Sequence, residues 1–257
     1  MIRPAALLLA AVVLVPASAG AGTPRPPLAL TATPTRVALA GTARAEVRVT
    51  NPGLRAVVVD VGRAGFSLDL RGRPRVVAAG GPRTAASWVT VAPSRFVLRP
   101  GATRSLTVAS RTPRRAEPGD HDALVLLTTR PRRDGGVAVR MRIGVVVVVR
   151  APGRIVRRLN VRDLRVRRAG RVPVLELRLT NRGNVTESLA RGGVRVVLRR
   201  GALDIGLRAG GRTIRPRTDG VLRIPCPRLL QGSFTATVRV GSEPGRPAAR
   251  RTFRVRL

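Results

Sequence analysis

Apolar residues recur at every second position along much of this chain. Glu46-Val47-Arg48-Val49, Leu177-Arg178-Leu179, Val194-Arg195-Val196 and Phe253-Arg254-Val255-Arg256-Leu257 alternate aliphatic or aromatic side chains with charged ones. A period of two is the strand signature, with one face turned to a core and the other to water. Helical periodicity is not found beyond the N-terminal segment. Short β-branched runs are instead punctuated by Gly, Pro, Asn and Asp clusters, the rhythm of an all-β protein. In the first half the pattern predicts strands near 28–32, 35–40, 44–50, 56–62, 65–70, 87–91, 94–98, 103–110, 121–129 and 137–150. Asn51-Pro52-Gly53, Pro100-Gly101 and Pro118-Gly119 join a fixed φ to a permissive one and mark turns.

The second half repeats the plan less densely, with strands predicted near 160–168, 172–181, 193–199, 203–207, 220–224, 233–240 and 250–257. Ala45-Glu46-Val47-Arg48-Val49-Thr50-Asn51 resembles Leu175-Glu176-Leu177-Arg178-Leu179-Thr180-Asn181, each an alternating strand closed by Thr-Asn and a turn. Their separation is too long for a solenoid and suits tandem sandwiches. The predicted class is all-β, with two tandem immunoglobulin-like β-sandwich domains over 28–150 and 154–257. Ala151-Pro152-Gly153 marks the boundary between them.

The N-terminus departs from this pattern. Ala5 to Val15 is continuously apolar after Arg3, and Ala17-Ser18-Ala19 follows. The run is too short to cross a bilayer and fits a secretory signal peptide over 1–21. A Pro-rich linker over 22–27 comes next, and the last residues carry no apolar anchor. The mature protein is expected outside the cytoplasm, secreted or associated with the cell envelope, with no transmembrane anchor.

Charge changes the picture less than its size suggests. The net charge is +36 and all 49 basic residues are arginine. Many arginines occupy the polar positions of alternating strands, where they are solvated faces that discourage edge association. Such a protein adheres to anionic polymers in any case. Dedicated nucleic-acid binding is not expected, because the chain has no tyrosine, one tryptophan and four phenylalanines to stack bases. Catalysis needs titratable groups brought together, and here there are 13 acids, one histidine and one cysteine. His121 lies between Asp120 and Asp122, and alternation sends those carboxylates to the opposite face, so it reads as a turn histidine hydrogen-bonded to its surroundings. No catalytic residue, cofactor or metal site is expected. Cys226 reads as buried, and the Asn184-Val185-Thr186 sequon as a surface loop.

Thr35-Arg36-Val37, Gly41-Thr42, the Val47–Asn51 strand, Val91-Ala92-Pro93, Phe96 to Gly101, Leu106-Thr107-Val108 and Pro118-Gly119-Asp120-His121 follow one another in a recognisable order and spacing. In these motifs, over 28 to about 150, the chain resembles pilus-assembly chaperones of the PapD type. The whole layout is also similar to the WxL-interacting surface family, through the turn Asn181-Arg182-Gly183-Asn184. The chaperone resemblance implies a basic anchor in an interdomain cleft, which Arg36 matches; the second member of that pair, a lysine of the last strand, has no basic counterpart in Gly144–Arg150. It also implies a last strand whose alternating bulky residues complete a client's fold by strand addition, here Val145, Val147 and Val149. A strand buried on both faces is the competing reading of that run. The expected function is binding or assembly of another exported protein. The alternative is an arginine-rich adhesin for anionic envelope polymers.

Overall fold

The computed structural model describes residues 28–81, 83–134, 137–170, 172–189, 193–227, 230–241 and 249–257. The expected signal and linker lie outside them. Every regular element in the described residues is a strand.

The first half contains β1 (Thr31–Thr33), β2 (Arg36–Ala40), β3 (Ala43–Thr50), β4 (Val57–Leu68), β5 (Pro74–Val77), β6 (Val89–Ala92), β7 (Arg95–Leu98), β8 (Thr103–Ser110), β9 (Gly119–Thr129), β10 (Arg132–Asp134), β11 (Val137–Val139) and β12 (Arg142–Ala151). One sheet has the order β1-β3-β8-β6, and the facing sheet β2-β12-β9-β4-β5 with β7 also on β4. The chain switches sheets at its start: β1 pairs with β3, and after Pro34 β2 runs parallel to β12. Between the sheets the inward residues of each strand form one core, including Val37, Val47, Val59, Leu98, Leu106, Leu127 and Val147.

The second half contains β13 (Leu159–Ala169), β14 (Val172–Asn181), β15 (Glu187–Leu189), β16 (Val194–Arg200), β17 (Leu203–Arg208), β18 (Arg212–Ile214), β19 (Asp219–Pro225), β20 (Ser233–Val240) and β21 (Ala249–Arg256). Sheet β13-β14-β19 faces sheet β17-β16-β20-β21, and β15 pairs with β18. Their inward Leu175, Leu177, Leu179, Val196, Leu198, Ile224 and Val238 form a separate core. Two sheets packed over one apolar layer, twice, is the two-sandwich class that the alternation predicts. Cys226 is buried in the second core.

Three strand predictions are corrected. Residues 56–62 and 65–70 form one strand, β4, because β9 pairs continuously along Val59–Gly65. The run 137–150 is divided into β11 and β12. The short β5, β10, β15 and β18 were not predicted, since three or four residues hold too little alternation to register.

Candidate functional site

Two features of the first sandwich converge near the second. One is an incompletely paired strand, and the other is a cleft between the domains.

β12 pairs with β9 along its whole length, from Arg142↔Thr128 to Ala151↔Gly119. On its other side β2 accompanies it only from Val146↔Arg36 to Arg150↔Ala40. Val146 N–H donates to the Thr35 carbonyl at 3.0 Å. Backbone groups alternate sides along a strand, so those of Gly144 and Arg142 point the same way, past the start of β2. No described strand pairs there. The β12 segment Arg142–Val145 is therefore a half-open edge. Met141 and Ile143 share the inward face with Val145 and are partly buried against the first core, while Val139 is 54% exposed.

Val145, Val147 and Val149 are each fully buried in that core. From Val146 onward the strand is occupied on both sides, so the valine run is central rather than an edge, because β2 closes it. The open stretch lies just upstream. Its signal was present in the sequence as Val139, Met141, Ile143 and Val145, an alternation that the denser valine run overshadowed.

Arg36 is exposed on β2, pointing away from the core. It lines a cleft of about 270 Å³ with Phe66, Leu68, Asp122, Arg212 and Arg215. The first-domain wall sets the apolar Phe66 and Leu68 beside Arg36 and Asp122, and Phe66 packs with Ala64 and Leu124 in a small buried cluster behind it. The second-domain wall is basic. Val146 stands directly opposite Arg36 in register, so the last strand supplies no second cation. Arg212 and Arg215 on the facing domain do, and the alternating-strand pattern gave no reason to choose them.

Asp122 is almost fully buried and accepts from Arg215 Nε, which is itself only 12% exposed. Burial pushes the Asp122 carboxyl above its ordinary 3.8, against the pull of Arg215 and Arg36. Asp120 behaves oppositely. Burial raises it, but Arg150 and the Thr186 N–H donate to it at 2.7 and 2.8 Å, and the balance falls below 3.8.

His121 is buried within β9, not in a turn. Its Nε2 lies 2.7 Å from the Glu117 carbonyl and its ring 4.4 Å from that of Trp88. The flanking carboxylates face the second domain, away from it. No cluster of three potential metal ligands occurs among the described residues. The Asn184 sequon is not a free loop, since Asn184 Nδ2 donates to the Pro118 and Arg154 carbonyls.

No family model matches the chain, and no curated protein matches it. Solved structures do. A chain of a chaperone–tip adhesin complex of CFA/I fimbriae superposes with a TM-score of 0.53 at 13% identity, covering 87% of this chain and 98% of that one. The class 5 fimbriae chaperone CfaA gives 0.50 at 13% identity, covering 88% and 99%. The likeness extends over both sandwiches, and it establishes for this chain the two-domain, PapD-like immunoglobulin-type fold of fimbrial chaperones.

Proposed function

We propose that this chain is an exported, non-enzymatic assembly protein that holds another exported protein by strand addition along β12. The observation that carries this reading is the half-open edge at Arg142–Val145, continued upstream by the alternating Met141 and Val139 and set beside the cleft that Arg36 lines. An added strand bonds to the free backbone groups of Arg142 and Gly144, and its side chains pack beside Met141 and Ile143. Arg36, exposed and basic, is the anchor for an anionic group of the client. Of the three valines, Val145 closes the open stretch, and Val147 and Val149 hold the strand in its own core.

The fold likeness supports the same reading: one similar structure is a chaperone–tip adhesin complex and another a fimbriae chaperone. Residues 28–150 and 154–257 are taken as the two domains, each with its own core. Residues 1–21 are taken as the export signal, and no helix among the described residues is long and apolar enough to cross a membrane. The comparisons lend nothing to the adhesin alternative.

The test is capture of a defined client by the purified mature chain at a salt concentration that screens its charge. A single protein held in equimolar complex by the parent, and lost with Arg142→Pro, is the expected result. Equal capture by the parent and Arg142→Pro, or no salt-resistant partner at all, refutes the proposal.

A further inference from the structure

The outward faces of the two sheets of the second sandwich carry charge in different ways. On β13-β14-β19 arginines meet acids in register: Arg165, Glu176 and Arg223 form one row, and Asp163 stands opposite Arg178. On β17-β16-β20-β21 one row is arginine on every strand. Arg208 stands opposite Arg195, Arg195 opposite Arg239, and Arg239 opposite Arg250. All four are exposed. Strands lie roughly 5 Å apart, so the row anchors its guanidinium groups along about 14 Å, straight across the sheet. Like charges directly opposite one another destabilise a sheet, so the fold gains nothing from this row. The next outward row, Gly206, Val197, Thr237 and Thr252, is small and uncharged and leaves a low floor beside the arginines.

At β21 the row runs into a cavity. Arg250, its last member, lines a cleft of about 400 Å³ together with Asn160, Arg162 and Arg182. Arg251, also in its wall, is held there by donating from Nη1 to the Val161 and Arg162 carbonyls at 3.0 and 2.9 Å. No acid among the described residues lines this cleft.

We infer that the row and the cleft form a track for a linear phosphate polymer, its chain across the four strands and its terminal phosphate in the cleft. Guanidinium groups fork onto phosphate oxygens, and a chain charged at every link meets each arginine of the row in turn. The bound chain also cancels the repulsion within the row. A terminal phosphate offers three accepting oxygens where a carboxylate offers two. That suits a cleft whose cations come from β13, β21 and the turn after β14. Nucleic-acid bases have nothing to stack on here, because Phe234 and Phe253 pack into the core behind the sheet. The track belongs to the second domain and does not depend on the client proposed for β12. Being exposed, it weakens with salt like the rest of the surface, so its location and not salt resistance identifies it.

The test is titration of the mature chain with inorganic polyphosphate at fixed salt. Arg195→Gln with Arg239→Gln removes the middle of the row, and Arg44→Gln with Arg48→Gln removes the same charge from exposed positions of β3. The first pair is expected to weaken binding about tenfold or more and the second less than about twofold. Relieved of like-charged neighbours, the first pair is expected to unfold no lower than the parent, which separates lost binding from lost fold. Arg182→Gln in the cleft is expected to cost polyphosphate about fivefold and polyglutamate of matched charge less than about twofold. Equal losses from the two double variants overturn the inference, as does single-stranded DNA held more tightly than polyphosphate. Equal sensitivity of both polymers to Arg182→Gln overturns the placing of a phosphate in the cleft.

Discussion

Asn51 and Asn181 show how much one side chain can hold. Both are fully buried, and each closes the turn that follows its strand in the same way. Asn51 Nδ2 donates to the Arg55 and Leu98 carbonyls while Oδ1 accepts from Gly53 N–H. Asn181 donates to Val185 and Ile214 and accepts from Gly183. Replacing either by Ala strands buried backbone groups, so a loss of about 2–4 kcal/mol is expected in urea unfolding. The neighbouring acids Asp120 and Asp122 predict opposite pH responses. The depressed Asp120 contributes stability above 3.8 that is lost as pH falls through its folded value. The raised Asp122 contributes stability present below 3.8 that is lost as pH rises through its folded value. Unfolding from pH 2 to 7 is expected to show both Asp120→Asn and Asp122→Asn near the parent at acid pH, with Asp120→Asn falling below it and Asp122→Asn rising above it toward neutral pH.

At the scale of elements, pairing decides what a strand can do. Arg142→Pro removes one N–H from the open side of β12, and proline is tolerated on an edge. The expected result is unchanged thermal unfolding with loss of client capture. β4 makes a related point through Gly65. A Cβ there would lie 2.6 Å from the Ala78 carbonyl oxygen and 2.7 Å from Val77 Cγ2, so the glycine admits the close approach of β5. Gly65→Ala is expected to cost about 1–3 kcal/mol, measured by chemical unfolding. The sequence pattern placed this glycine at the start of a separate strand near 65–70, and only the placement of β5 beside it shows why a glycine is needed there.

For the whole molecule the dominant quantity is charge. Much of the arginine excess lies on solvated strand faces, where acids accompany part of it: Glu176 lies between Arg167 and Arg223, and Asp204 meets Arg199. Binding to an anionic polymer is therefore expected to collapse when salt rises from about 0.05 to 0.5 M, as the screening length shortens, whereas client capture by strand addition persists. Affinity for the polymer that resists salt would point to a built anionic site instead. The charge has a specific use at the domain junction, where β9 begins at Gly119 with φ +114° and a Cβ would meet the Asn184 carbonyl oxygen at 2.1 Å. That contact places Asp120 and Asp122 against the second domain.

What the sequence by itself determined was local. Alternation fixed the all-β class and the inward faces, and the repeated Thr-Asn strand endings marked two related units whose asparagines perform the same task. Period two is written in adjacent residues and survives in any all-β arrangement. Whether Val145–Val149 is edge or centre depends on β2, which reaches it from the far end of the same domain. The second basic wall of the cleft depends on a turn of the other domain. These are pairings between distant segments, and no spacing within either segment encodes them. The alternation Val139, Met141, Ile143 and Val145 was in the sequence, but only the tertiary structure showed that β2 stops short of Arg142–Val145 and made Arg215 the partner of a buried carboxylate.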